Sequence, residues 1–224
     1  MSRASTTTVL LDFDGTITVR DADFVIADAV LPPARANGYV PLAEAYERLE
    51  IGAAAYFERF LELVPLCPEE FAREAVRVPL RPGLDRLLAA LGQPEFELRV
   101  LSEGLDVYIE PALRAAGLGH LPYSCNRAIW DGVGYTVAPA ADGVPCARCL
   151  NCKGAHVQRA RDAGRRVVMV GNGASDLCGA RRADLVFARD GLVDHCRREG
   201  IAHTPFDRFD EIVRALRLSA PPAT

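Results

Sequence analysis

The sequence predicts an α/β fold, a mainly parallel sheet core carrying an inserted helical lobe. Three features predict it. Short apolar runs recur with helical stretches between them. The runs are continuous, as in strands covered on both faces, and do not alternate. From residue 18 to about 80 the alternation stops, and apolar residues recur only at helical spacing.

Taken in order, the strands are "TVLLDFD", "FELRVLS" (96–102), "LPYSCN" (121–126), "RRVVMVG" (165–171) and "ADLVFA" (183–188). Helices are expected over 105–117, 153–163, 175–182, 190–199 and 207–217. The interruption reads "ADFVIADAVL", "LAEAYERLEIGAAAYFERFLELV" and "PEEFAREAV". Pro79, Pro82 and Gly83 return the chain through a proline-led turn into the helix of "LDRLLAAL". The division expected is a core of 1–17 and 81–224 with a helical cap of 18–80. Within the core, 127–152 forms a small hairpin and a cysteine loop.

Half of the 224 residues are hydrophobic, enough for one ordinary core. The net charge is −4, from 26 basic and 30 acidic side chains spread along the chain. That excludes a basic stripe for nucleic acid or an anionic membrane surface, so the expected partner is a small molecule. "MSRASTTT" leads into the first strand without the apolar region of a signal peptide, which predicts a cytoplasmic protein. No run is long enough to span a bilayer. Nothing marks an oligomer interface. Seven cysteines, an odd number, argue for thiols or metal ligands over a disulfide framework.

The chemistry starts at "DFDG". Residues i and i+2 of a strand face the same way, so Asp12 and Asp14 project together at the carboxyl edge of the sheet while Phe13 packs. Two carboxylates so close repel, and a hard divalent ion such as Mg²⁺ resolves the conflict. The plainer reading is a turn capped by Asp14-Gly15. After the fourth strand, "GNGASD" sets Asn172 and Asp176 at another strand end with oxygens suited to Mg²⁺, although Ser175 or Asp176 could equally be a helix N-cap. After "RVLS", Ser102 and the following amides, with Gly104, suit a phosphate oxygen; an N-cap serine is the plainer reading. Lys153 is the single lysine among 26 basic residues, as expected where a compact ammonium is needed and a guanidinium fork would not fit; a chance survivor on a solvated helix is the plainer reading.

In this order "DFDGT", "LSEG", the lysine of "CKG" and "GNGASD" resemble the four motifs of the haloacid dehalogenase (HAD) superfamily, in its phosphoserine-phosphatase-like branch. "CNRAIWDGVGY" and the tail "VFARDGLVDHCRREGIAHTPFDRFDEI" more narrowly resemble the methionine-salvage phosphatases acting on 2-hydroxy-3-keto-5-methylthiopentenyl-1-phosphate. The resemblance implies a Rossmann-like core with a helical cap and Mg²⁺-dependent hydrolysis of a phosphomonoester through an aspartyl-phosphate. It implies Asp12 as nucleophile and Asp14 as general acid/base. Ser102, Glu103, Gly104 and Lys153 would bind phosphate; Asp12, Asp14, Asn172 and Asp176 would form the metal site. The family usually has Asp at the position of Asn172. Here the amide carbonyl suffices, or Asp176 ligates through water, or the site is degenerate, or the residue is a substitution.

"CARCLNC" spaces Cys146, Cys149 and Cys152 as ligands of a structural Zn²⁺, with Cys125, His120 or His156 as fourth; reduced thiols packed in a loop are the alternative. Cys67, Cys178 and Cys196 read as small buried residues. Phe24, Tyr46, Tyr56 and Phe57 of the lobe would either line a substrate pocket or form the lobe's own core. The alternatives to the methionine-salvage ester are phosphoserine, a phosphocholine-like ester, a specialised-metabolism intermediate, transfer of the phosphoryl group to an alcohol, and a catalytically silent phosphate-binding protein.

Overall fold

β1 (Thr7–Leu11) owes its central place to Val9, Leu10 and Leu11, all buried. A computed structural model describes residues 6–216; residues 1–5 of the leader and residue 217 of the last expected helix lie outside the described residues. β1 is flanked in parallel by β2 (Phe96–Leu105) and β5 (Arg166–Gly171). With β3 (Tyr123–Trp130), β4 (Tyr135–Ala138), β6 (Leu185–Ala188) and β7 (Thr204–Pro205), the seven-stranded order is β4-β3-β2-β1-β5-β6-β7, parallel except for the β3–β4 pair. The predicted α/β class with a mainly parallel sheet is the observed one. The core lies on both faces, one side built around Val9, Leu11, Val100 and Val168 and the other around Leu10, Leu101, Val157 and Met169.

The helical series is α1 (Ala22–Val30), α2 (Pro33–Glu47), α3 (Ala53–Leu63) and α4 (Pro68–Ala75). The chain leaves and re-enters the sheet side by side, where Thr18 bridges Leu80 and the Arg81 amide donates to the Ile17 carbonyl at 2.8 Å. Arg81 also ties this crossing down, its guanidinium donating to the carbonyls of Thr16 and Gly15 at 2.9 and 2.7 Å. The remaining helices are α5 (Leu84–Leu91), α6 (Asp106–Ala115), α7 (Lys153–Asp162), α8 (Leu177–Ala180), α9 (Asp190–Glu199) and α10 (Phe209–Ala215).

Several boundaries differ from expectation. β2 runs on to Leu105 with its register shifted between Leu101 and Leu105, so Ser102 lies inside a strand and is no N-cap. β3 continues through 126 into the hairpin, pairing in parallel with β2 and then antiparallel with β4. The helix expected over 175–182 is a tight turn at Ala174–Asp176 followed by the short α8. β7 was not expected, because two exposed residues carry no apolar signal.

Candidate active site

The carboxyl ends of β1, β2 and β5 meet the cap over a cavity of about 460 Å³, with Asp12, Asp14, Ser102, Gly104 and Asn172 in its lining. Open α/β sheets bind ligands at this edge because strand ends and helix starts leave backbone groups free there. The Asp12 amide is held by the Val170 carbonyl at 3.0 Å, which anchors the side chain to the sheet. Beyond it the chain turns at Gly15, whose φ of +66° and crowding against Asn172 and Asp21 leave no place for a side chain. Gly104 is also obligatory, since a Cβ there would stand 2.5 Å from Tyr108 Oη and 2.6 Å from Asp14 Oδ2.

Lys153, at the first turn of α7, is fully buried and its Nζ donates to Asp12 Oδ1 and, at 2.5 Å, to Asp176 Oδ1. Burial opposes its charge, but the two carboxylates outweigh that and raise its pKa above the ordinary lysine range. Asp176 Oδ2 accepts the amides of Asn172 and Gly173 at 2.8 and 3.1 Å. Both its oxygens are thus engaged, and its geometry is that of a partner to Lys153. Thr16 Oγ1 donates to Asp12 Oδ2 at 3.1 Å. Burial, then the neighbouring Asp176 charge, push Asp12 up to about 7 against the pull of Lys153.

Asp14 accepts from the Ala22 amide at 2.9 Å and from Ser102 Oγ at 3.3 Å, while the Gly104 amide donates to Ser102 Oγ at 2.8 Å. Burial, followed by the charges of Asp23, Asp21 and Asp12, raises Asp14 well above the usual carboxylate range. Glu103 turns away from this cluster. Its carboxylate accepts the amides of Leu150 and Asn151 at 3.2 and 3.0 Å, and burial raises it to about 7. A phosphate role for Glu103 therefore falls to its backbone, since two anions repel.

One amide atom of Asn172 lies 2.9 Å from Asp12 Oδ2 and 2.8 Å from the Asp14 carbonyl oxygen. As nitrogen it would donate to both; as oxygen it completes a trio of acceptors. The other end of the amide faces Asp21, a carboxyl that burial and its acidic neighbours raise well above the usual range and that can donate when protonated, so without a cation the nitrogen faces Asp12 and Asp14. A cation bound between Asp12 and Asp14 would turn the amide over and bring its oxygen to face them. Oxygens separated this way suit adjacent ligands of an octahedral ion with bonds of about 2.1 Å, whose neighbouring ligands stand about 3.0 Å apart. The donor set fits Mg²⁺.

The cap closes the cavity with Phe24, Tyr46, Tyr56 and Phe57. The two expectations for these residues merge, since all four also pack into or against the main core. Tyr56 donates to the buried Asp23 at 2.5 Å. Glu47, at the end of α2, latches cap to core, accepting the Ala174 amide at 3.0 Å and pairing with His195 Nε2 at 3.1 Å. Sequence reasoning gave no role to Thr16, Asp21, Glu47, Tyr108, Asn151 or His195. Thr16 was within reach as part of "DFDGT"; the others reach the site through tertiary packing.

The cysteine expectation needs one correction. Cys146, Cys149 and Cys152 converge with Cys178, their four sulfurs within 4.8 Å of one another. His156 is taken up by Asn151 Oδ1 at 2.7 Å, and exposed His120 faces the Gly117 carbonyl at 3.0 Å. Cys125 sits apart on β3. Cys178 belongs to this group and is not merely a small buried residue; Cys67 is only partly buried, and Cys196 is buried as expected.

The sequence pattern of haloacid dehalogenase-like hydrolases matches residues 9–181. A 2-hydroxy-3-keto-5-methylthiopentenyl-1-phosphate phosphatase of Exiguobacterium sibiricum is 27% identical over 93% of this chain and 95% of its own. That of Brevibacillus brevis is 28% identical over 92% and 93%. Among solved structures, a phospho-aspartyl intermediate analogue of phosphoserine phosphatase superposes with a TM-score of 0.71 at 17% identity, covering 96% of this chain and 99% of that one. A cytosolic 5'-nucleotidase IIIB bound to cytidine gives 0.61 at 17% identity, covering 95% and 83%. With more than half its length in the family pattern and the four motif segments gathered at one sheet edge, the chain belongs to the haloacid dehalogenase-like hydrolases.

Proposed function

We propose that this chain is a Mg²⁺-dependent phosphatase that cleaves a small phosphomonoester with a neutral, largely apolar tail. The first candidate is the methionine-salvage ester named for its relatives. The observation that carries the reading is the meeting of Asp12, Asp14, Ser102 and Asn172 at the floor of one cavity roofed by aromatic side chains.

Asp12, the Asp14 carbonyl and Asn172 would hold Mg²⁺, which supplies positive charge against the phosphoryl oxygens. Asp12 attacks phosphorus in line as the bond from phosphorus to the ester oxygen breaks, and protonated Asp14 gives that oxygen its proton. Water then attacks the phosphorus of the aspartyl-phosphate, Asp14 takes its proton, and Asp12 is released with inorganic phosphate. The raised pKa of Asp14 suits both duties. Lys153 neutralises Asp12 and the incoming phosphoryl group, and Asp176 fixes Lys153 in place.

Among the described residues, the cavity lining contains no arginine or lysine. A phosphoserine carboxylate would therefore meet Asp21, Asp23 and Glu47 with only the ammonium of its own head to offset the repulsion. An apolar tail fits the Tyr46–Tyr56 stack, with ring centroids 4.7 Å apart, and Phe57 beside it. The buried Tyr108 hydroxyl lines the cavity, with the Leu105 amide directed at its oxygen and no acceptor for its proton among the described residues, which leaves the O–H for a keto or hydroxyl group of the substrate. A cationic, phosphocholine-like head is the second reading, favoured by the acidic lining. It ranks lower because Asp23 and Glu47 already hold protein donors.

The test is phosphate release from a methylthioalkyl phosphate, phosphocholine, phosphoserine and an aryl phosphate, with and without Mg²⁺, beside Asp12→Asn. The expected result is Mg²⁺-dependent release, fastest for the methylthioalkyl ester and absent in Asp12→Asn. Release that ignores Mg²⁺ or survives Asp12→Asn would overturn the mechanism. Preference for phosphoserine would overturn the assignment of the tail.

A further inference from the structure

We infer that Cys146, Cys149, Cys152 and Cys178 form a tetrathiolate Zn²⁺ site that staples the Lys153-bearing start of α7 to the Asp176-bearing start of α8. The four sulfurs lie within 4.8 Å of one another, and Cys149 Sγ and Cys178 Sγ are 3.9 Å apart. A disulfide needs about 2.05 Å, so this is no disulfide pair. Four ligands at about 2.3 Å from a tetrahedral Zn²⁺ stand about 3.8 Å apart, close to the 3.9 Å between Cys149 Sγ and Cys178 Sγ.

The backbone is shaped for such a site. The Cys149 amide points at Cys146 Sγ, 3.4 Å away, and the Cys146 amide donates to the Cys149 carbonyl at 2.8 Å, closing the knuckle. An amide aimed at sulfur favours the thiolate form that a metal requires. Between Ala138 and Lys153 the chain has neither helix nor strand, yet Cys149, Asn151 and Cys152 are buried. Its side chains are mostly small, and a bound ion supplies order that packing by such residues does not. Arg181 and Arg182 follow directly on α8, with Arg182 Nη1 3.3 Å from the Cys178 carbonyl, so positive charge stands beside the net negative cluster.

The placement gives the ion a job. Cys152 immediately precedes Lys153, and Cys178 is two residues after Asp176. At Gly154 a Cβ would stand 2.6 Å from the Cys178 carbonyl, so α7 and α8 touch backbone to backbone beside the sulfurs. The same loop presents Leu150 and Asn151 to Glu103 and receives the Ala53 amide of the cap on the Arg148 carbonyl at 2.7 Å. The ion would set the position of Lys153 relative to Asp176 and brace the cap, without touching substrate.

Elemental analysis of the chain purified without chelators is expected to give one zinc per chain. Replacement by Co²⁺ is expected to give the intense charge-transfer and d–d absorption of a tetrahedral thiolate site. Cys178→Ser should lose at least nine-tenths of the metal, while Cys196→Ser, outside the cluster, keeps it. In the unaltered chain a nitrogen chelator selective for zinc, added with excess Mg²⁺, should lower Tm and speed amide exchange across residues 144–156. None of these readouts depends on turnover. A chain that takes up neither Zn²⁺ nor Co²⁺, or a Cys178→Ser protein with full metal content, overturns the site; iron in place of zinc overturns the choice of ion.

Discussion

Replacing Asn172 by Asp tests the cation site from both sides. The new carboxylate would stand where the amide now lies, 2.9 Å from Asp12 Oδ2. At an effective dielectric constant of about 20, two unit charges that close repel by about 6 kcal/mol, an upper bound before relaxation. The contact of residue 172 with Asp21 becomes a second carboxyl pair as well. Without metal, Asn172→Asp should therefore lower Tm. Bound Mg²⁺ reverses the sign, because the added charge then faces a divalent cation. If only a quarter of that energy survives, about 1.4 kcal/mol, affinity rises tenfold. Calorimetric titration should show Mg²⁺ binding at least tenfold tighter, the Tm gain on adding Mg²⁺ should grow, and turnover should persist. Weaker or unchanged Mg²⁺ binding would refute the placement of the ion between Asp12, Asp14 and residue 172.

Three further outcomes follow from the same geometry. Lys153→Met leaves Asp12 and Asp176 buried without their shared cation and should cost about 3–5 kcal/mol in denaturant unfolding; a loss under 1 kcal/mol would show that Lys153 is not the buried counter-ion. Glu103, raised by burial to about 7 from an ordinary 4.5, holds its proton more tightly folded than unfolded. Its contribution is complete below about pH 4.5 and is lost as pH rises through 7, up to about 3 kcal/mol at 1.36 kcal/mol per pH unit. Glu103→Gln should flatten that part of the stability profile, and an unaltered slope would contradict the assignment. Tyr108→Phe removes a hydroxyl whose proton has no acceptor among the described residues, so Tm should change little while KM increases by about 2–10-fold, the value of one ordinary hydrogen bond; an unchanged KM would remove Tyr108 from substrate binding.

The strands that carry the site were legible because a strand covered on both faces must be continuously apolar, as "TVLL" and "RRVVMVG" are. Asp12, Asp14 and Lys153 stood out locally, two as charges ending a buried run and one as the only lysine in the chain. The part of β2 beyond Ser102 did not stand out, since "SEGL" carries turn residues and only pairing with β3 keeps it extended. The same holds for β7, two exposed residues whose strand character comes from the neighbour they pair with.

By itself the sequence determined the α/β class, the strand-end motifs and the chemical types gathered at the sheet edge, because burial and short-range spacing are written into consecutive residues. Tertiary structure alone decided the partners drawn from far along the chain. It brought Asp21 to Asn172, Glu47 to Ala174 and His195, and Cys178 to the three loop cysteines. The physical reason is that such contacts depend on how the cap and α8 pack across the sheet. No periodicity records that packing, since it is fixed by the joint fit of side chains distant in sequence.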